Sequence, residues 1–294
     1  MLTSDDTSAR LAAQTQSAVA LAAQYMRGRQ TFSGGFCFYR CEYLEEPNLH
    51  DTYHAVAALT LIGTELPPVD AIANFITHFD VHGLNAIYYG AFALDIIGRA
   101  TSIPERWLLH VREWNVSNML DAVIDSTMGS LESLLRLMRL KRRFADLLDS
   151  GELAAFVESQ RSNGGYGGKP NIRDTWICLA ILELVSAPIT NDAVRDFIDR
   201  LQIPNFGFTV ARDSMLTDLD IILAGIRCCR LLDLPIRYTD DILAFTLSCQ
   251  SSSGGFSRTS GALPDIEQTH RALQIIRFLL PDLSARQLPD KLST

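Results

Sequence analysis

The chain has 294 residues, 47% hydrophobic and 20% charged, which is enough apolar material for one large core, and it contains no low-complexity stretch. A formal charge of −8, with basic residues scattered apart from the run Lys141, Arg142, Arg143, excludes a nucleic-acid footprint. The opening MLTSDDTSARLAAQ is acidic where an export signal is basic, and no apolar run is long enough to span a bilayer. A soluble cytoplasmic protein is expected, with peripheral membrane contact left open.

In chain order, apolar residues at helical spacing predict a first helix over 7–28. The string SGGFCFYRCEYLEEPNLHDTYHAVAALTLIG (33–63) follows, and it returns as NGGYGGKPNIRDTWICLAILELV (163–185) and SGGFSRTSGALPDIEQTHRALQII (253–276). Each copy is a Gly-Gly-aromatic turn, a loop containing proline, and a helix that opens with a polar residue followed by Thr, as in Asp51-Thr52, Asp174-Thr175 and Gln268-Thr269. Copies without the double glycine occupy 82–98, 118–137 and 206–232, and further helices are predicted over 68–78, 103–114, 141–160, 190–201 and 238–250.

Two sets of six helices therefore alternate. The repeat helices, such as YHAVAALTLI and YYGAFALDII, are apolar or small almost all round, whereas those between them carry charge on one face, as in ITNDAVRDFIDRL. An open solenoid is the alternative packing, but six copies without polar capping repeats favour closure into an all-α (α/α)6 barrel with the repeat helices inside. One domain over 1–294 is expected, with short flexible ends at 1–6 and 282–294. Closure gathers the N-termini of the inner helices around one mouth of a cavity. The double glycines at Gly34, Gly35, Gly164, Gly165, Gly254 and Gly255 are read as permitting the tight left-handed turn before each helix.

Cys37, Cys41, Cys178, Cys228, Cys229 and Cys249 are expected to be reduced thiols in packed positions. Cys37-x3-Cys41 followed by His50-x3-His54 also offers four zinc-type ligands within a short span. The favoured reading puts the cysteines in a loop and the histidines into the cavity, with no metal.

These repeats resemble those of the prenyltransferase and squalene-cyclase superfamily across most of the chain. Protein prenyltransferases of that superfamily hold a zinc with Asp-x-Cys at one inner-helix head and His at a later one. Here the matching positions are Asp174, Trp176 and Gln268, and two of the three are poor zinc ligands. The resemblance then implies a class II terpene or meroterpenoid cyclase, in which an un-ionised carboxylic acid protonates a terminal alkene and aromatic rings stabilise the resulting cations. Such cyclases carry Asp-x-Asp-Asp-Thr at a helix head, and the full motif is absent here. The positional candidates are Asn48-x-His50-Asp51-Thr52, Val123-x-Asp125-Ser126-Thr127 and Asp265-x-Glu267-Gln268-Thr269.

Asp51, Asp174 and Asp265 each have capping as an alternative role. Asp125 is preferred as proton donor: a helix from about Asn118 places Asp121 one turn away on the same face, where paired carboxylates share protons. Asp51, oriented by His50, competes. Tyr53, His54, Tyr88, Tyr89 and Trp176 fall at matching levels of successive inner helices and are expected, with Phe208 and Glu267, to contact a polyprenyl substrate. No cofactor is expected, and magnesium enters only if the substrate carries a diphosphate, for which Arg40, Lys169, Arg173, Arg212, Arg258 and Arg271 flank the mouth. A zinc-lacking, prenyltransferase-like protein that binds or transfers prenyl groups is the alternative function. A glycoside-processing (α/α)6 enzyme ranks third because the interior reads as aliphatic.

Overall fold

A computed structural model describes residues 4–41, 44–114, 129–145, 150–189 and 192–281. Among these residues lie twelve α-helices. The outer helices are α1 (Ser4–Arg27), α3 (Val69–His78), α5 (Glu105–Glu113), α7 (Ser150–Ser159), α9 (Asp192–Arg200) and α11 (Thr239–Ser248). The inner helices are α2 (Leu49–Leu61), α4 (Gly83–Ile96), α6 (Gly129–Phe144), α8 (Ile172–Leu184), α10 (Leu219–Leu231) and α12 (Ile266–Leu279). Each inner helix packs on the next, and α12 packs on α2, so the ring closes and the protein is the expected all-α barrel.

The two sets differ for the reason the sequence suggests. In α9, Val194, Phe197 and Ile198 are buried on one stripe while Asp192, Asp196 and Arg200 face solvent. In α10, every residue from Leu219 to Ile226 is buried, because that helix has a neighbour on each side. Among the described residues no helix is long and apolar enough to cross a membrane.

The turns before α2, α8 and α12 share one construction. The first glycine of each pair takes a left-handed conformation, with φ of +94° at Gly34, +87° at Gly164 and +88° at Gly254. The second does something the sequence did not suggest: it lies flat against an aromatic ring of an outer helix. A Cβ on Gly35 would sit 2.6 Å from the Phe75 ring, one on Gly165 2.8 Å from Phe197, and one on Gly255 2.6 Å from Tyr25. The last contact staples α1 to the final repeat.

The helix heads are capped by Asn48, Asn171, Asp218 and Asp265, whose side chains accept from backbone N–H groups three residues on. Asp51 and Asp174 are therefore not the caps themselves; they sit one turn inside, each receiving the amide of its capping asparagine at 2.9 and 2.7 Å. Three two-stranded antiparallel hairpins, Arg40–Cys41 with Leu44–Glu45, Arg161–Ser162 with Gly165–Tyr166, and Gln202–Ile203 with Gly207–Phe208, precede α2, α8 and α10 in the chain.

One pair of boundaries departs from expectation. The third inner helix runs from Gly129 to Phe144 and the following outer helix only from Ser150, so Lys141, Arg142 and Arg143 close an inner helix instead of opening an outer one. Arg143 ends on Asp95 of α4 through paired bonds of 2.8 and 2.7 Å. Asp121 and Asp125 lie outside the described residues.

Candidate active site

The inner-helix heads enclose a cavity of about 720 Å³, its open mouth included. Its lining corrects the expectation of an aliphatic interior. The aliphatic side chains of AVAALTLIG and AFALDIIG are spent on packing between helices, where Ala55, Val56, Ala58 and Leu59 are wholly buried. Facing the cavity are five arginines (Arg136, Arg139, Arg173, Arg227 and Arg271) against three carboxylates (Glu132, Asp220 and Glu267). Tyr53, Tyr88, Tyr89 and Trp176 line it too, together with His54, His270 and Gln274.

The aromatic belt forms as the spacing implied. Tyr53 lies 6.0 Å from Tyr88 and 5.4 Å from Tyr89 between ring centres, and Tyr88 and Tyr89 meet edge to face at 5.3 Å. Guanidinium groups cover these rings: Arg136 sits 5.3 Å from Tyr89, and Arg227 and Arg139 sit 4.6 and 5.7 Å from the Trp176 indole. Trp176 also borders a second, shallower pocket toward the opposite end of the ring, where Arg230 and Phe278 join it. Burial raises the Tyr89 phenol to about 12, despite Arg136, and holds the Tyr53 phenol well up.

The charges are arranged as a network. Arg136 reaches Glu132 at 2.8 Å, and Arg173 approaches the other oxygen of Glu132 at 3.3 Å. Asp220 is gripped by both Arg258 and Arg271, and Arg271 also holds Glu267. Among the described residues Arg139 and Arg227 have no carboxylate of their own in the cavity; Arg139 reaches the Tyr88 hydroxyl at 3.4 Å and Arg227 the Gln274 amide oxygen at 2.9 Å. Burial, with Arg139 beside it, pulls the Arg227 guanidinium down to about 10. A buried cation with a like charge for a neighbour is a site that an anion relieves.

Of the residues expected to serve chemistry, His54, Tyr53, Tyr88, Tyr89, Trp176 and Glu267 converge on the cavity. Phe208 does not: it is fully buried on Gly225 of α10, where only a glycine leaves room for its ring. Asp51 faces the helix head, accepting from Phe38 N at 2.7 Å, Asn48 Nδ2 at 2.9 Å and His50 Nδ1 at 3.2 Å. Of the mouth-flanking basic residues, Arg173 and Arg271 reach the cavity, whereas Arg212 stacks on Phe197 and Arg258 acts through Asp220.

The residues missed were Glu132, Arg136 and Arg139 on α6, Asp220 and Arg227 on α10, and the uncharged His270 and Gln274 on α12. The charged ones had a signal: charges at i, i+4 and i+7 in a helix that otherwise reads as inner.

Three side chains gather at the α2–α12 joint. His50 Nε2 is 3.6 Å from Glu267 Oε2 and His54 Nε2 3.7 Å from Glu267 Oε1, and ligand atoms of the three lie within 4.8 Å of one another. Cys37 is not among them, although it is buried nearby in sequence. At the positions where the resemblance places zinc, Trp176 offers no available lone pair, and Gln268, whose amide nitrogen donates to Asp220 at 3.3 Å, presents only a neutral amide oxygen in place of an imidazole, so the residues there do not fit the metal.

No curated protein matches the sequence. The fold is that of a solved structure of Candida albicans protein geranylgeranyltransferase-I complexed with GGPP, with a TM-score of 0.62 at 15% identity over 80% of this chain and 84% of that one. The model of the prenyltransferase alpha-alpha toroid domain matches residues 5–83 and 75–291, and the chain thus belongs to the prenyltransferase alpha-alpha toroid family.

Proposed function

We propose that this toroid is a terpene or meroterpenoid cyclase that draws a polyprenyl diphosphate into the mouth of the barrel. The observation that carries the reading is the convergence of five guanidinium groups and four aromatic rings on one cavity. Guanidinium forks match phosphate oxygens in geometry and charge, and Arg139 and Arg227, which no carboxylate among the described residues engages, are suited to the head group. Tyr53, Tyr88, Tyr89 and Trp176 offer the π-faces that carbocations need.

Class II chemistry begins when a carboxylic acid gives its proton to the terminal alkene. The new C–H bond leaves a cation on the neighbouring carbon, internal double bonds add to it in turn, and the last cation loses a proton to a base. Glu132, Asp220 and Glu267 are each engaged by an arginine, which leaves the acid to another residue. In this reading it is Asp125, tuned by Asp121, with the Asp51–His50 pair as the competing donor.

The test is a panel of prenyl diphosphates of about ten to thirty carbons, with the matching alcohols, followed by product analysis. Diphosphates should raise the melting temperature and alcohols should not, because ligand bound only to the native state stabilises it. Arg227→Gln should weaken diphosphate binding about tenfold or more, since charge-assisted bonds contribute about 1.5–3 kcal/mol. Asp125→Asn should abolish cyclised product while binding survives. Full activity in Asp125→Asn with a dead Asp51→Asn moves the donor to α2. Transfer of the prenyl group to an acceptor, without cyclisation, favours the second reading: a prenyltransferase without zinc at the family position, which Trp176 and Gln268 motivate.

A further inference from the structure

We propose that His50, His54 and Glu267 form a binding site for a zinc-class divalent cation where the first and last inner helices meet. The inference stands apart from the cyclase reading and runs against the metal-free expectation from sequence. It rests on His50 and His54 of α2 and Glu267 of α12, and not on Asp174, Trp176 and Gln268, the positions where the family resemblance would put a zinc.

The geometry begins with the helix. Asn48 caps α2, so His50 and His54 fall four residues apart on one face, and ring closure brings the first turn of α12, with Glu267, against them. Each imidazole is anchored through Nδ1. His50 Nδ1 lies 3.2 Å from Asp51 Oδ1, an acceptor, so Nδ1 carries the hydrogen and Nε2 keeps its lone pair when the ring is neutral. His54 Nδ1 lies 2.9 Å from His270 Nδ1, and with His54 as the donor its Nε2 is likewise free. An acceptor such as a carboxylate behind a ligating histidine is the support that metal sites use to fix tautomer and ring orientation, and here Asp51 takes that place behind His50 and the His270 imidazole behind His54. Tyr89 stands edge-on to His50 at 4.7 Å and Tyr53 to His54 at 4.9 Å, so both rings are held in place.

A second, independent observation points to a ligand. His54 is only 8% exposed, yet among the described residues its Nε2 has no hydrogen-bond partner and faces Glu267 from 3.7 Å, beyond hydrogen-bonding reach. Buried nitrogens are rarely left in that state. The 3.6 Å between His50 Nε2 and Glu267 Oε2 is close to the roughly 3.4 Å between neighbouring ligands on a tetrahedral zinc with bonds of about 2.1 Å, and one ligand atom from each of the three residues lies within 4.8 Å of the others. Arg271 holds Glu267 by Oε1, which leaves Oε2, the oxygen nearer His50, for a metal. Two imidazoles and one carboxylate make a three-ligand set with an open position, and His54 and Glu267 turn that position toward the cavity.

The experiment is metal binding, read without substrate. Wild-type protein incubated with zinc and dialysed should retain one equivalent by elemental analysis, and cobalt should bind with the visible bands of a low-coordinate nitrogen–oxygen site. His54→Ala should lose the equivalent, and Glu267→Gln should weaken binding at least tenfold. His270→Ala should keep the stoichiometry but weaken affinity about 10–100-fold, as expected for a supporting partner. Cys37→Ser should bind as wild type. Failure of the wild type to retain metal, or wild-type affinity in Glu267→Gln, overturns the proposal. Because Glu267 is partly exposed, that variant decides the question even if His54→Ala fails to fold, and circular dichroism checks the fold of each. Loss of product with metal binding intact would count against the cyclase reading alone.

Discussion

Thr52, Thr175 and Thr269 each perform two tasks with one hydroxyl. Thr52 Oγ1 donates to Asn48 O at 2.7 Å and accepts from Phe36 N at 3.0 Å; Thr175 does the same with Asn171 O and Tyr166 N, and Thr269 with Asp265 O and Phe256 N. The recurrent threonine was visible as a letter in the repeat, but its purpose, tying the buried backbone of the Gly-Gly-aromatic turn to the helix head, was not. Thr52→Val keeps the shape and strands the Phe36 N–H, so urea unfolding should report a loss of about 1–3 kcal/mol. Thr52→Ser should recover most of it. The thiols make a second prediction at this scale. Cys37, Cys178, Cys228, Cys229 and Cys249 are free and buried, and burial pushes Cys229 to about 12 and Cys249 to about 11. Since the thiolate is the reactive form, a disulfide reagent at about pH 8 should modify no more than one thiol quickly in the native protein and all six after denaturation.

Among elements, the Gly-Gly turns show why two adjacent glycines recur. Gly34 and Gly83 both have left-handed φ, +94° and +80°, but a Cβ at Gly34 would also lie 2.3 Å from the backbone oxygen of Ala71, while one at Gly83 meets nothing within 4 Å. Gly83→Ala should therefore cost only the conformational strain, about 1–2 kcal/mol. Gly34→Ala adds a collision with a backbone that cannot yield, and should cost about 3 kcal/mol or more. Equal losses in the two variants would mean that the turn does not lean on α3 as described. The helix α6 teaches a different lesson. Its charges at Glu132, Arg136 and Arg139 face the ring interior, so the rule that an inner helix is apolar all round holds only for the faces that touch other helices.

For the whole molecule, closure is the property that matters most. Tyr25 of α1 packs on Gly255, its hydroxyl reaches Pro264 O at 3.2 Å, and Gln250 Nε2 bonds to Ala18 O at 2.8 Å, so α1 and the final repeat are joined by side chains. Tyr25→Ala should cost about 3–5 kcal/mol, and Tyr25→Phe only about 0.5–1.5 kcal/mol for the lost hydrogen bond. Both should appear in one cooperative transition, followed by circular dichroism and fluorescence together. If the chain were an open solenoid, loss of Tyr25 would instead release a terminal repeat in a separate, earlier transition. Closure also separates inside from outside electrostatically. A chain with net charge −8 presents a cavity rich in guanidinium groups, so anion binding there should weaken as salt rises.

The repeat, the alternation of two helix sets, the turn glycines and the Tyr53, Tyr88, Tyr89 and Trp176 belt were legible in the sequence because each is a local or periodic pattern. The rotation of each inner helix about its own axis was not. A helix that is apolar almost all round carries little amphipathic signal, and packing against two neighbours decides which residues turn inward. For that reason Arg136, Arg139 and Arg227 were found only in the cavity, and Phe208, read as a substrate contact, was found in the core beside Gly225. The meeting of His54 with His270, 216 residues apart, depends on the last inner helix reaching the first. No local spacing encodes such a contact; it exists because the ring closes.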